Sequence, residues 1–128
     1  VRVFDLAAKK VLQAWPHPRS TNGVTFTRDA RRLATGCNDG LIRVFDVATG
    51  AERNQVAGHE PNSGITELRF TRDDRWLFSA GMDRTIRRWK LDDAGAATLM
   101  QTVEAHDGFV FGLDLSPDET QLASAGWD

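Results

Sequence analysis

A single cysteine, Cys37, leaves no possibility of a disulfide within the chain. That suits a reducing compartment, and a cytoplasmic location is the expectation. No apolar run approaches the ~20 residues of a membrane-spanning helix. The best of them, "GFVFGLDL" from Gly108 to Leu115, already carries an aspartate. No secretory leader pattern opens the sequence, whose first residues read as the middle of a strand. A block of one charge is also missing. The 16 basic and 18 acidic residues are interspersed and sum to -2, which argues against a nucleic-acid or anionic-membrane binder. The arginine pairs Arg31–Arg32 and Arg87–Arg88 are the densest basic spots and read as solvated strand faces. Helical periodicity is absent from every stretch of about ten residues or more. What remains, 41% apolar and 27% charged residues, is the composition of a globular chain rather than a disordered one.

Repetition is the strongest signal present. The turn phrases "TRDA" from Thr27, "TRDD" from Thr71 and "SPDE" from Ser116 are spaced by 44 and 45 residues. Asp39, Asp83 and Asp128 share that spacing, and the aromatic residues Phe4, Phe45 and Trp89 lie 41 and 44 apart. Within each period the segments are short. "GVTF", "GITELRF" and "VFGLDL" place apolar residues at every second position. "RRLATG", "RWLFSAG" and "TQLASAG" follow each turn, and "LIRVFD" and "TIRRWK" come next. Two-residue apolar periodicity with β-branched and aromatic residues predicts strands, punctuated by Gly, Asp, Asn and Pro. Each repeat is therefore about four short antiparallel strands, the size of a propeller blade.

"AGHE…SAGMDRTIRRWK" and "AHDGFVFGLDLSPDETQLASAGWD" resemble WD repeats, and the similarity covers essentially the whole chain. The Gly-His opening is kept only at Gly58-His59 and becomes Pro16-His17 and Ala105-His106. The Trp-Asp ending appears as Phe4-Asp5, Phe45-Asp46 and Trp89-Lys90. The resemblance implies an all-β fold of β-propeller blades of four antiparallel strands, and a platform for partner proteins. It also implies a buried polar chain in each blade. The middle repeat supplies His59, Ser79, Asp83 and Trp89; the first supplies His17, Thr35 and Asp39 but has Phe45 in place of the tryptophan; the last supplies His106, Ser124 and Asp128. The turn aspartate is expected to accept from the imidazole, the hydroxyl to relay, and the indole N–H to end the chain. The first blade, lacking an indole there, is expected to be looser or to recruit water.

The trio His59, Ser79 and Asp83 has the residue types of a hydrolase triad. Three copies at fixed offsets favour a structural role instead. His17, His59, His106 and Cys37 fall one or two per blade without close ligand spacing, so no metal site is expected. The carboxylates of "PDE", Pro117–Glu119, sit in a two-strand turn. No cofactor is implied.

Strands lettered a to d outward from the propeller axis give a half blade over residues 1–15 (c, d), blades over 16–58 and 59–105, and a half blade over 106–128 (a, b). The two halves are complementary. Ring completion by head-to-tail oligomerisation is the expectation, because three blades cannot close a ring and exposed edges invite pairing. The expected seam comprises Val1, Val3, Phe4, Asp5, Ser124, Trp127 and Asp128, with Asp128 meeting Phe4 of a neighbour and only about two residues missing between the strands. Three copies would give nine blades at about 40° each and two copies six at about 60°. A trimer is favoured because the family's usual seven or eight blades need about 51° or 45°. The alternative is one long chain with different partner blades. The loops between strands d and a and between b and c share one face, carrying Arg19, Asn22, Asn38, Asn62, Ser63, Met82, Phe109 and Trp127. The aromatic residues there suit a protein or peptide partner. The readings weighed are a protein-interaction scaffold, a structural or engineered fragment that only self-assembles, and an enzyme or ligand site in the channel, for which Glu67 and Asp114 are the main titratable groups.

Overall fold

The computed structural model describes all 128 residues. Twelve strands and no helix form four antiparallel sheets. The first pairs β1 (Arg2–Asp5) with β2 (Lys10–Ala14). The second runs β3 (Thr21–Phe26), β4 (Arg32–Cys37), β5 (Leu41–Asp46) and β6 (Glu52–Ala57) in chain order. The third repeats this with β7 (Ile65–Phe70), β8 (Trp76–Gly81), β9 (Thr85–Leu91) and β10 (Ala97–Glu104). The fourth pairs β11 (Val110–Leu115) with β12 (Leu122–Gly126).

The first turn of each unit is built by its own side chains. Thr27 donates its hydroxyl to Asp29 (2.8 Å), and Asp29 accepts from the Arg31 amide (3.0 Å). Thr71 with Asp73 and Ser116 with Asp118 repeat the device at 2.6 Å. The next residue is left-handed in each case: Ala30, Asp74 and Glu119 have φ of 57°, 58° and 59°. An Asx-type turn tolerates this conformation and sets a fixed hairpin register.

The apolar core lies between sheets. Ala34, Ile42 and Val44 from the second sheet meet Ile65, Leu68, Leu77, Trp89 and Leu91 from the third. Ala80 and Ile86 of the third meet Val110 and Leu113 of the fourth. Val1 and Val3 pack on Trp15, Leu33 and Phe45. Each sheet therefore needs its neighbour to remove its apolar face from water, at roughly 25 cal/mol per Å² buried.

Close approach along the innermost strands holds the sheets in order. A side chain at Gly23 would meet the Glu67 backbone at 3.2 Å, so β3 and β7 nearly touch. Gly36 is equally constrained, because a Cβ there would collide with Ile65. Thr66 reaches across with its hydroxyl to the Val110 carbonyl, 2.5 Å away. At the turns, the Arg28 amide donates to Asp74 (2.8 Å) and the Arg72 amide to Glu119 (2.6 Å).

Candidate functional site

The most organised polar site lies where the loop into β7 meets the turn between β8 and β9. His59 places Nδ1 2.8 Å from Asp83 Oδ1 and Nε2 2.8 Å from Ser79 Oγ. Trp89 donates its indole N–H to the same Ser79 oxygen at 2.9 Å. The tautomer follows from the acceptors: Nδ1–H donates to the carboxylate and Nε2 accepts the serine proton. Asp83 also takes the Thr85 hydroxyl (2.7 Å), the Thr85 amide (3.1 Å), the Glu60 amide (3.1 Å) and Arg87 Nη2 (3.2 Å). Burial opposes its charge, yet the bonds from His59 and Thr85 outweigh that and hold its pKa far below the ordinary carboxylate range.

This geometry has the order of a hydrolase triad but not its access. Ser79 is fully buried beneath Trp89, so no acyl group can approach its oxygen. Glu67 of β7 is engaged by Arg69 at 2.6 Å, and Asp114 of β11 accepts from the Leu115 amide.

The third set is assembled alike. His106 bonds Asp128 at 2.8 Å and Ser124 at 2.9 Å, and the Asp107 amide adds a bond to Asp128 at 2.9 Å. That amide, then His106, lowers the Asp128 pKa.

The first set departs from expectation. His17 Nε2 reaches Thr35 Oγ1 at 2.9 Å, but Nδ1 turns to the Trp15 carbonyl at 3.1 Å instead of to Asp39. The cause is the residue after the histidine. Glu60 and Asp107 donate amides to their aspartates, whereas Pro18 has no N–H to give. Asp39 is bound instead by Arg43 Nη2 at 2.7 Å and by the Leu41 amide at 3.0 Å. Burial opposes the Asp39 charge, but the Arg43 bond prevails and its pKa falls. Burial also pulls the His17 pKa down, against the Trp15 carbonyl bond that raises it. Trp15 compensates for the missing indole. It packs 5.0 Å from the Phe45 ring and donates its N–H to the Gly50 carbonyl at 2.9 Å. Phe45 sits in this core, 3% exposed.

At one end of the sheets a rim forms from the turns. Asn22 donates to Asn38 at 2.8 Å; a side chain at Gly64 would meet Asn38 and Met82; Phe109 lies 5.9 Å from Trp127 and 6.2 Å from Phe111. Trp127 is 73% exposed. Arg19 and Asn62 are exposed on the same loops, and Ser63 is half-buried. Of the expected seam residues, Val1 and Val3 face the core of their own chain, and Asp5 caps its own turn by accepting the Ala8 amide at 2.8 Å. The complete sheets pair Phe45 with Leu33 and Trp89 with Leu77. In that register the aromatic lies opposite the leucine two residues before the Ser/Thr, not opposite the turn aspartate. Sequence reasoning also missed Arg43 and Arg87. Their signal was an arginine four residues after the turn aspartate in both complete repeats.

Residues 9–46, 50–90 and 97–128 match the family described as WD domain, G-beta repeat. The chain belongs to the WD-repeat family. It is 35% identical over 102 residues to the human WD repeat and SOCS box-containing protein 1, covering 79% of this chain and 23% of that protein. It is 30% identical over 137 residues to the guanine nucleotide-binding protein subunit beta of Oryza sativa subsp. indica, covering 100% of this chain and 36% of that one. The chain thus spans a minor part of the length of these relatives. WD-repeat proteins are in general scaffolds for protein interaction. No helix here is long and apolar enough to cross a membrane.

Trp89→Phe is expected to destabilise by about 1–3 kcal/mol, because Ser79 loses a buried donor. Phe45→Leu should cost less, since no polar partner is orphaned. Equal shifts in urea midpoint would contradict the polar chain's role. Asp83→Asn should show a pH-dependent deficit. The unfolded chain protonates Asp83 near pH 3.9 and the folded chain only at lower pH. The stabilisation is therefore complete above that range and lost as pH falls toward the folded value. The free-energy gap between wild type and variant, read from urea melts, should be widest at neutral pH and narrow below about pH 4. A gap independent of pH would contradict it.

Proposed function

We propose that this chain is a non-catalytic interaction platform that assembles head to tail with copies of itself. The observation that carries the platform is the rim of Asn38, Met82, Phe109 and Trp127, where a largely exposed indole stands beside a second aromatic on rigid sheets. Rim loops held by a stiff scaffold recognise partners without reorganisation, and aromatic side chains dominate the energetics of such contacts. A protein or peptide segment with apolar side chains fits this surface. The buried histidine–hydroxyl–aspartate chains act as structural supports for the rim, with no role for metal, cofactor, nucleic acid or membrane.

The assembly reading rests on complementary sheets. Residues 1–15 and 106–128 each supply half a blade, flanking whole blades over 16–58 and 59–105. β1 and β12 each have one edge without a partner strand in the chain. Pairing them between copies converts two edges into a four-stranded sheet and closes a ring, of nine blades in a trimer in preference to six in a dimer.

Peptides selected from a random library on the intact chain are expected to lose at least about tenfold in affinity for Trp127→Ser. They should bind Arg53→Glu, on the outer strand, unchanged. Peptides that bind all three proteins equally would contradict the platform. Deleting Val1–Asp5 should reduce the mass in light scattering to one protomer. The deletion keeping the intact chain's oligomeric mass would contradict the assembly.

A further inference from the structure

We infer that the outer edge of β10 is a docking site for a partner segment that is extended, apolar at alternate positions and basic at both ends.

The first support is a contrast between outer strands. β10 closes the third sheet, which has all four strands, and its far edge carries no strand. It runs for eight residues, all but Ala97 exposed, against six for β6. No residue from Ala94 to Val103 is charged. The two strands bulge alike: Glu52 lies opposite Phe45 with Arg53 as the extra residue, and Leu99 lies opposite Trp89 with Met100 as the extra residue. β6 thus bears two charges where β10 bears Leu99 and Met100, which are 43% and 54% exposed. β2 bulges too and is apolar at the same places, Val11 and Leu12, but it is five residues long and opens on Lys10 after Lys9. Charged side chains and short length guard a free edge against pairing. β10 has neither guard.

The exposure of Leu99 is a property of the blade's outer flank. Trp89 packs against the second sheet, and Leu99, directly opposite it, shares that face. Both sheets that bound this face have all four strands.

The second support is charge, which identifies the occupant. Asp92 and Asp93 precede the strand, Glu104 ends it and Asp107 follows, and all four are exposed. None of them forms an ion pair within the chain. The basic residues of the adjacent strand, Arg87, Arg88 and Lys90, lie one strand inward on β9. A strand added outside β10 gains main-chain hydrogen bonds along its length, and alternate side chains give it specificity. Lysine or arginine at its two ends then meets the carboxylates at both ends of β10. An antiparallel second copy of β10 would instead bring Asp93 towards Asp107 at each end, like charge on like. A basic-ended segment of another protein is therefore the better fit.

The test is titration calorimetry of the intact chain with a synthetic peptide in which threonine and valine alternate between terminal lysines. One-to-one binding is expected. Methylating one alternate set of main-chain nitrogens should abolish it and methylating the other set should not, because a strand edge pairs every second residue. Glutamates in place of the lysines should weaken binding at least about tenfold. Leu99→Glu with Met100→Arg gives β10 the pair that β6 already accommodates. It should weaken binding at least about tenfold with the circular dichroism unchanged. Equal affinity for the two methylated peptides overturns strand pairing. Equal affinity for the glutamate-ended peptide overturns the charge assignment. No binding by any peptide, or binding untouched in the double variant, overturns the site. Self-association of the intact chain that is lost in the double variant makes a second copy the occupant and overturns the partner segment.

Discussion

The acceptor capacity of one turn aspartate per repeat sets the local geometry of this fold. A carboxylate offers about four lone-pair sites, and Asp83 fills them from three separate places. The donors are the imidazole and amide of the incoming loop, the Thr85 amide and hydroxyl of its own turn, and Arg87 on β9. An ion taken partly out of water is tolerable only when so satisfied. Its partners are thereby fixed relative to one another. Satisfying Asp83 positions the loop that begins the sheet, and so the innermost strand that touches the next one.

The three repeats vary this arrangement in chemically consistent ways. Removing one donor by Pro18 releases His17 from Asp39, and Arg43 takes over the carboxylate. Losing the indole at Phe45 is matched by a tryptophan entering from β2's end, whose N–H finds a carbonyl outside the polar chain. In the last repeat His106 makes the same bonds to Asp128 and Ser124. A core that lies between sheets rather than within them makes neighbouring sheets the source of stability.

Much of this was legible in the residues. Period-two apolar patterning marked the strands, and the turn phrases marked their joints, because both depend on local backbone geometry. The offsets from histidine to hydroxyl to aspartate were readable because they recur. Contacts between sheets were not. The bond from Thr66 to Val110, the Arg28–Asp74 latch and the insertion of Trp15 over Phe45 depend on which sheets are adjacent and on how closely β3, β7 and β11 approach. The fate of His17 lay in the proline after it, whose missing amide mattered only once the Glu60–Asp83 and Asp107–Asp128 bonds were seen. Arg87 looked like solvated strand charge until the turn aspartate was found beside it, and Arg43 repeats that contact in the first repeat.

Rim and seam share Trp127, which packs at a tilt against Phe109, one residue before Asp128. Partner binding and assembly would therefore act on adjacent surfaces of one sheet. In the assembly we propose, a second copy supplies the third strand of the last sheet. An isotope-filtered NOE experiment on a mixture of labelled and unlabelled chains tests this most directly. The account predicts cross-peaks between the Phe4 ring of one chain and the Leu122 methyls of another. Their absence from a demonstrably oligomeric sample, or Phe4 contacts only within its own chain, would contradict it.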